Sequence, residues 1–199
     1  PPPTTIQLKN PNKTKPKSKG DNIIYTIVSQ NVNGLTRPWK VESIIESMIT
    51  NDIQAFLIQE SWLTGDWEKE IRGYLIIHHN HEKAITKSKG REKRGVAIIL
   101  SPLFRQAYKR AGNPKPITTN PKGEFSGRVI GISLHFPNRD TNGKKIKGDL
   151  KIFLASAYNP YEEEIYQKFN DELALLLKQV PRAASPILGQ DINTNLGAR

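Results

Sequence analysis

The chain has 199 residues, 36% of them hydrophobic and 25% charged, and no cysteine, so an ordinary globular domain is expected while disulfide frameworks, thiolate zinc sites and cysteine nucleophiles are excluded. No apolar run approaches the roughly 18 residues of a membrane span, and the N-terminus lacks a signal-peptide core, so we expect an intracellular protein without a membrane partner. The formal net charge of +11 favours a polyanionic partner, nucleic acid first, with a merely solubilising charge as the alternative.

Residues 1–21 are predicted to form a basic, proline-rich flexible arm. The lysines Lys9, Lys13, Lys15, Lys17 and Lys19 lie among prolines with little to bury. A role in localisation or DNA contact and an inert linker are both open. The chain does not begin with methionine, so we expect it to be a piece of a longer protein.

The first half predicts alternating strands and helices. Residues 23–28 and 52–59 have the β-branched and aromatic character of strands, and residues 39–50 space apolar side chains at helical intervals. Residues 74–77 and 96–100 predict two more strands, joined by a very basic loop at 83–94. Between the first of these strands and that loop, His78, His79 and His81 are interpreted as solvated loop residues rather than as metal ligands.

The second half predicts antiparallel strands and one long helix. A basic loop is expected at 105–122, and the alternation in 128–136 and 151–158 predicts a hairpin with a long tip. Residues 162–180 carry an apolar stripe typical of a helix, which ends at Pro181, and residues 186–188 form a short strand. The elements together predict a mixed-sheet α/β or α+β sandwich.

Polar side chains follow the predicted buried strands. They are Asn31, Glu60, Tyr158 with Asn159, and Asp191 with Asn193. Hydrolysis of a phosphodiester needs a hard divalent cation, a group that orients water and donors for the phosphoryl oxygens, and these are suitable residue types. A carboxylate after a strand also serves as a helix cap or turn residue, so that interpretation stays open for each one.

Six segments arrive in an order that resembles a known superfamily. They are SQNVNGL at 29–35, LIQESW at 57–62, RGVAIIL at 94–100, GRVI at 127–130, ASAYNP at 155–160 and GQDIN at 189–193. Over residues 23–197 the chain resembles the endonuclease/exonuclease/phosphatase superfamily, which includes apurinic/apyrimidinic endonucleases, deoxyribonuclease I and the endonuclease domains of non-LTR retrotransposons. Within this superfamily, the sequences at 59–63 and 191–197 most resemble those of the retrotransposon domains.

The resemblance implies a four-layer, DNase I-like α/β (α+β) sandwich of two mixed β-sheets flanked by helices. Residues 22–199 would supply its N-terminal two-thirds, with the closing Ser-Asp-His motif lying beyond the chain. It also implies Mg²⁺, with Mn²⁺ as an alternative, held chiefly by Glu60 with help from Asn31. Tyr158 would contact the scissile phosphate, Asp191 would orient the attacking water, and Asn193 would hydrogen-bond the phosphate.

The implied activity is that of a magnesium-dependent endonuclease of a retroelement that nicks duplex DNA in the nucleus. RNA stays open as a substrate, and a reverse transcriptase is expected downstream in the parent chain. Basic residues expected to bind nucleic acid are Arg94, Arg128, Lys87, Lys89, Arg91, Lys109 and Arg110. The alternatives are an inactive nucleic-acid-binding remnant and a phosphatase of the same superfamily acting on inositol phosphates or lipids.

Overall fold

Two mixed β-sheets pack face to face in the computed structural model, which describes residues 4–9, 24–80, 94–120, 123–138, 148–160 and 163–192. Most of the basic loop predicted at 83–94, the tip of the predicted hairpin and Asn193 lie outside these residues. Helices cover the outer faces of both sheets, which confirms the predicted fold class. Among the described residues no helix is both long enough and apolar enough to cross a membrane.

The larger sheet has six strands in the order β1-β2-β3-β6-β5-β4. Their bounds are Thr4–Lys9 (β1), Ile24–Asn31 (β2), Ile53–Gln59 (β3), Trp67–Ile71 (β4), Tyr74–His79 (β5) and Val96–Leu100 (β6). Only β2 and β3 run parallel, and the other neighbours are antiparallel. Every residue of β3 is buried, as expected for a strand covered on both faces.

The smaller sheet has four strands in the order β10-β9-β8-β7. Their bounds are Ile117–Thr118 (β7), Val129–Phe136 (β8), Leu150–Tyr158 (β9) and Ser185–Asp191 (β10). The predicted pairing of β8 with β9 as an antiparallel hairpin is confirmed, and β10 joins β9 in parallel. Each sheet therefore contains one parallel pair.

The main core lies between the sheets. Strand residues that point inward, such as Ile27, Leu57, Ile132 and Leu154, form one cluster from both sheets. Helix α1 (Pro38–Thr50) packs on the outer face of the larger sheet through Ile45 and Met48, and helix α3 (Glu163–Leu177) covers the smaller sheet. The layers thus run helix, sheet, sheet, helix.

Helix α2 (Pro102–Arg110) corrects the sequence-based expectation for its region. Residues 105–122 were predicted to be a basic loop, but α2 occupies the first six of them. Ser101 caps the helix by accepting a hydrogen bond from the backbone N–H of Phe104, and Pro102 occupies its first turn. Phe104, Ala107 and Tyr108 are buried in the inter-sheet core, so three apolar positions outweigh the charged ones.

Strands β1, β4 and β7 were not predicted from the sequence, and β5 is longer than predicted. β1 lies within the segment predicted to be a flexible arm and pairs with β2, where Ile6 and Leu8 alternate with polar residues. β4 forms a hairpin with β5 through Arg72 and Gly73, which both have positive φ angles. A two-residue turn of that geometry matches the twist of the strands it joins.

Candidate active site

The two parallel strand pairs bring their carboxyl ends to one edge of the sandwich. Asn31 is the last residue of β2 and pairs in register with Gln59, which Glu60 follows. Asp191 is the last residue of β10 and pairs in register with Tyr158 at the end of β9. Four residues predicted separately from strand ends therefore meet, because β2 and β10 also face each other across the two sheets.

Glu60 is buried at this edge and accepts hydrogen bonds from three side chains. Its Oε1 accepts from the Tyr158 hydroxyl at 2.7 Å and from Asn31 Nδ2 at 3.0 Å, and its Oε2 accepts from Trp62 Nε1 at 3.2 Å. Only 4% of the residue is exposed. Burying a carboxylate destabilises a fold unless such donors replace water. The three hydrogen bonds therefore allow Glu60 to be buried at this edge.

Asn31 connects the two acidic groups. The same Nδ2 that reaches Glu60 donates to Asp191 Oδ2 at 2.7 Å, while the amide oxygen accepts from the backbone N–H of Asn33 at 2.9 Å. One short amide therefore fixes the relative position of carboxylates that lie on different sheets. Whether Asn31 also holds a metal stays a prediction.

The backbone around Glu60 is in a left-handed conformation that non-glycine residues rarely adopt. The φ angles of Glu60 and Trp62 are +55° and +57°. Hydrogen bonds from the N–H groups of Gly34 and Leu35 to the carbonyls of Glu60 and Ser61, both 2.7 Å long, hold this segment. Strain of this kind, kept in place by its surroundings, is concentrated at functional sites.

A polar layer between the sheets lies directly beneath the site. Gln59 Nε2 donates to Ser29 Oγ at 3.1 Å and to Ser156 Oγ at 2.9 Å, and the Ser156 hydroxyl donates to the carbonyl of Ile58 at 2.7 Å. These contacts link β2, β3 and β9 one residue before the site begins. Gln59 was not singled out from the sequence, although its position beside Glu60 in a buried strand is a usable signal.

Arg128 supports Tyr158 from below. Its guanidinium lies 5.2 Å from the centre of the Tyr158 ring, and its NH1 donates to the Tyr158 carbonyl at 3.2 Å. The residue is 6% exposed. It was predicted to contact nucleic acid, but in the structure its guanidinium is directed at Tyr158.

The interpretation of His78 and His79 as solvated loop residues is wrong, since β5 extends through both and buries them. His78 contacts the Ser61 hydroxyl through Nε2 at 2.7 Å and the Gly65 carbonyl through Nδ1 at 2.8 Å. His79 contacts Asp66 through Nδ1 at 2.7 Å. Burial lowers the pKa of both histidines, that of His78 from 6.5 to about 4. His81 lies outside the described residues.

The remaining predicted basic residues divide by place. Arg94 borders the site, because its carbonyl accepts the Trp62 backbone N–H at 2.9 Å. Lys109 and Arg110 end α2, where Arg110 lines a cavity with His135 and Lys151. His135 lies seven residues along the chain from Arg128, about 23 Å at the strand rise, so Lys109 and Arg110 are far from the site. Lys87, Lys89 and Arg91 lie outside the described residues.

The donor set suits a hard divalent cation. Glu60 and Asp191 provide carboxylate oxygens, and within the described residues no cluster of three or more acidic, histidine or cysteine side chains is found. Mg²⁺ in proteins is commonly held by one or two carboxylates, with water and substrate phosphate completing its shell. A carboxylate has about four acceptor positions, and Glu60 uses three of them with described residues, so the residues present fit the ion.

Comparisons with known proteins give structural matches only. No family model and no curated protein matches the chain. The endonuclease domain of TRAS1, a telomere-specific non-LTR retrotransposon, matches 85% of this chain at a TM-score of 0.46 and 14% identity. D. rerio TDP2, in a structure complexed with single strand DNA product, matches 85% at 0.45 and 14% identity. The chain covers 59% and 61% of those two structures.

Proposed function

We propose that the chain is part of a magnesium-dependent phosphodiesterase that nicks DNA. The observation that carries the proposal is the single amide of Asn31, which hydrogen-bonds the carboxylates of Glu60 and Asp191 across two sheets at 3.0 and 2.7 Å. A sandwich does not need two acidic groups held together for its stability, since like charges repel. Bringing them together is useful if they share a cation.

Each residue of the site has a role in this reaction. Glu60 and Asp191 would hold Mg²⁺, or Mn²⁺ in its place, and the ion would neutralise charge on the phosphate. Asp191 accepts a hydrogen bond from the attacking water and orients it for in-line attack on phosphorus. The Tyr158 hydroxyl donates its single proton to Glu60 here and would turn it to a phosphoryl oxygen when substrate binds, and Asn193 is assigned a second donor role from the sequence.

The substrate assignment rests on the net charge and on sequence similarity. A net charge of +11 suits a phosphate backbone better than a neutral lipid headgroup. The similarity of residues 59–63 and 191–197 to retrotransposon endonucleases supports a retroelement origin, a nuclear site of action and a reverse transcriptase in the same parent chain. Duplex DNA is the proposed substrate, and RNA is the competitor to be tested.

The test is nicking of supercoiled plasmid by the native protein and by Asp191→Asn, with Mg²⁺, with Mn²⁺ and with chelator. Replacing a group that orients the nucleophile is expected to lower the rate by about 100-fold or more. Asp171→Asn is the matched control, because Asp171 is exposed on α3 and bonds only Gln167 among the described residues. It should nick DNA like the native protein.

Four outcomes would contradict parts of the proposal. Nicking that continues at the native rate in chelator would exclude the metal, and an unchanged rate in Asp191→Asn would exclude the role of Asp191. DNA binding with no cleavage by the native protein would indicate a binding remnant. Faster hydrolysis of soluble inositol phosphates than of DNA would indicate a phosphatase.

A further inference from the structure

We propose that the groove beside the candidate site binds an unpaired nucleobase next to the scissile phosphate, with Trp39 as its stacking surface. The inference rests on the proposed function and deepens it, since it assigns a substrate contact that the catalytic residues do not make. It predicts that the enzyme recognises at least one base outside the double helix.

The groove lies between the loop after β2 and the first turns of α1. It is lined by Asn31, Val32, Leu35, Trp39, Lys40 and Ile44, among others. Of the described lining residues four are apolar and four, including Gln30 and Ser43, are polar, so the groove offers both apolar wall and hydrogen-bonding groups. This composition suits a flat, aromatic ligand that carries hydrogen-bonding edges.

Trp39 is unusually exposed for its type. It is the second residue of α1 and 56% of it is accessible, whereas Trp62 and Trp67 are only partly exposed. Its backbone is nevertheless fixed, because Ile45 and Met48 of the same helix are buried against the sheet. An aromatic ring presented on a rigid support loses little entropy when a base stacks on it.

Asn31 joins the groove to the candidate site. It is one of the residues that line the groove, and its side chain bonds both Glu60 and Asp191. A nucleotide whose phosphate lies at those carboxylates therefore places a neighbouring base at the groove. Continuity with the site distinguishes this groove from the cavity lined by Arg110 and His135 at the other end of the strands.

The positive charge at the groove favours a nucleic acid as the occupant over a basic or neutral protein surface. Lys40 Nζ donates to the carbonyls of Val32, Asn33 and Gly34 at 3.3, 3.3 and 2.8 Å, so a positive charge is fixed at the groove. The exposed Arg37 is the N-cap residue that precedes α1, two residues before Trp39. The groove lining contains a lysine and no acidic side chain among its described residues.

The test compares native protein, Trp39→Ala and Trp39→Phe on a duplex oligonucleotide that is intact at the cleavage position and has two unpaired bases beside it. A stacked base is worth about a tenfold change in binding, so Trp39→Ala should raise KM about tenfold with kcat little changed. Trp39→Phe should recover most of the loss. Leu175→Ala is the control, because Leu175 is 59% exposed on α3, away from the site.

A second substrate separates stacking from folding. When the flanking base is replaced by an abasic position, the native protein should bind as weakly as Trp39→Ala, and the variant should lose nothing further. Equal KM values for native protein and Trp39→Ala on the intact oligonucleotide would overturn the subsite. A tenfold loss that persists on the abasic substrate would assign Trp39 a structural role instead.

Binding without cleavage distinguishes failure of this inference from failure of the proposed function. Quenching of tryptophan fluorescence by the same oligonucleotide is measured in chelator for native protein and Trp39→Ala. If the native protein does not cleave but base-dependent quenching is lost in the variant, the subsite stands and the catalytic proposal falls. If cleavage proceeds and quenching does not depend on the base, the reverse holds.

Discussion

Individual side chains at this edge of the sandwich are held by contacts that come from distant parts of the chain. Glu60 is stabilised by Asn31, Trp62 and Tyr158, and its segment is anchored further by the hydrogen bond between Ser61 and His78. His78 stacks on Trp67 with ring centres 4.8 Å apart. A substitution at the buried His78 should therefore disturb, through Ser61, the turn that carries Glu60.

His78 makes the stability of the protein depend on pH. Burial lowers the pKa of His78 to about 4, against 6.5 when unfolded, while Asp66 and the Gly65 carbonyl act in the opposite direction and His79 lowers it further. Between pH 6.5 and pH 4 the unfolded state binds a proton at His78 that the folded state does not bind. The contribution of His78 to the free energy of unfolding is therefore fully present above pH 6.5 and is lost as the pH falls towards 4. Between pH 7 and pH 5 this one group should lower the free energy of unfolding by about 2 kcal/mol.

Urea unfolding at pH 7 and pH 5 measures this effect in native protein and in His78→Gln, which keeps a polar group but does not titrate. The variant is expected to be less stable at pH 7 and to lose about 2 kcal/mol less than the native protein on acidification. An identical loss in both proteins would show that His78 does not carry the pH dependence.

At the scale of elements, close contact between β2 and β10 brings the two halves of the site together. Gly189 lies two residues before Asp191, and a β carbon there would contact Ser29 Oγ, with Ser29 Cβ at 2.7 Å and Leu57 Cδ1 at 2.8 Å. Glycine is needed at this point because the sheets approach closely, not because of its backbone conformation. The separation between Asp191 and the larger sheet depends on it.

Gly189→Ala should push β10 away from β2, with a cost of about 1–3 kcal/mol as in other overpacked cores. Thermal unfolding and the nicking rate should both fall, since Asp191 moves with the strand. The double variant Ser29→Gly with Gly189→Ala removes the nearest obstructing side chain and should recover part of the stability. If Gly189→Ala unfolds at the native temperature, the two strands are not packed as described.

Among the described residues, positive charge lies both beside the site and far from it. Arg37 and Arg94 lie beside the residues that flank Glu60 and Asn31, whereas Lys109 and Arg110 end a helix near the opposite end of β8. Long-range attraction depends on all of these charges. Direct contact with phosphates depends on those near the site.

The salt dependence of DNA binding separates the two groups. Each phosphate contact contributes about 0.9 to the slope of log K against log salt concentration, so Arg37→Gln with Arg94→Gln should reduce the slope by about 2. Lys109→Gln with Arg110→Gln removes the same charge and should leave the slope nearly unchanged. The opposite result would place the DNA on the other end of the sandwich.

The sequence by itself predicted most of the strands, two of the helices and the strand ends at which polar residues stand. Those features depend on local hydrophobic periodicity, which is written in neighbouring residues. It failed for α2, where only Phe104, Ala107 and Tyr108 are buried among basic and exposed residues, and for β4, whose signal was the Arg72–Gly73 turn. It also placed His78 in solvent, because a polar residue at a strand end gives no sign of burial.

Only the tertiary structure decided which of these residues meet. Asn31 and Asp191 are 160 positions apart, and no local pattern states that one amide bonds the other's carboxylate. Their meeting follows from two parallel strand pairs in separate sheets and from the close approach at Gly189. The sequence therefore determined the types of residue available for chemistry, and long-range packing determined that Glu60, Asn31, Tyr158 and Asp191 form one site while Lys109 and Arg110 lie outside it.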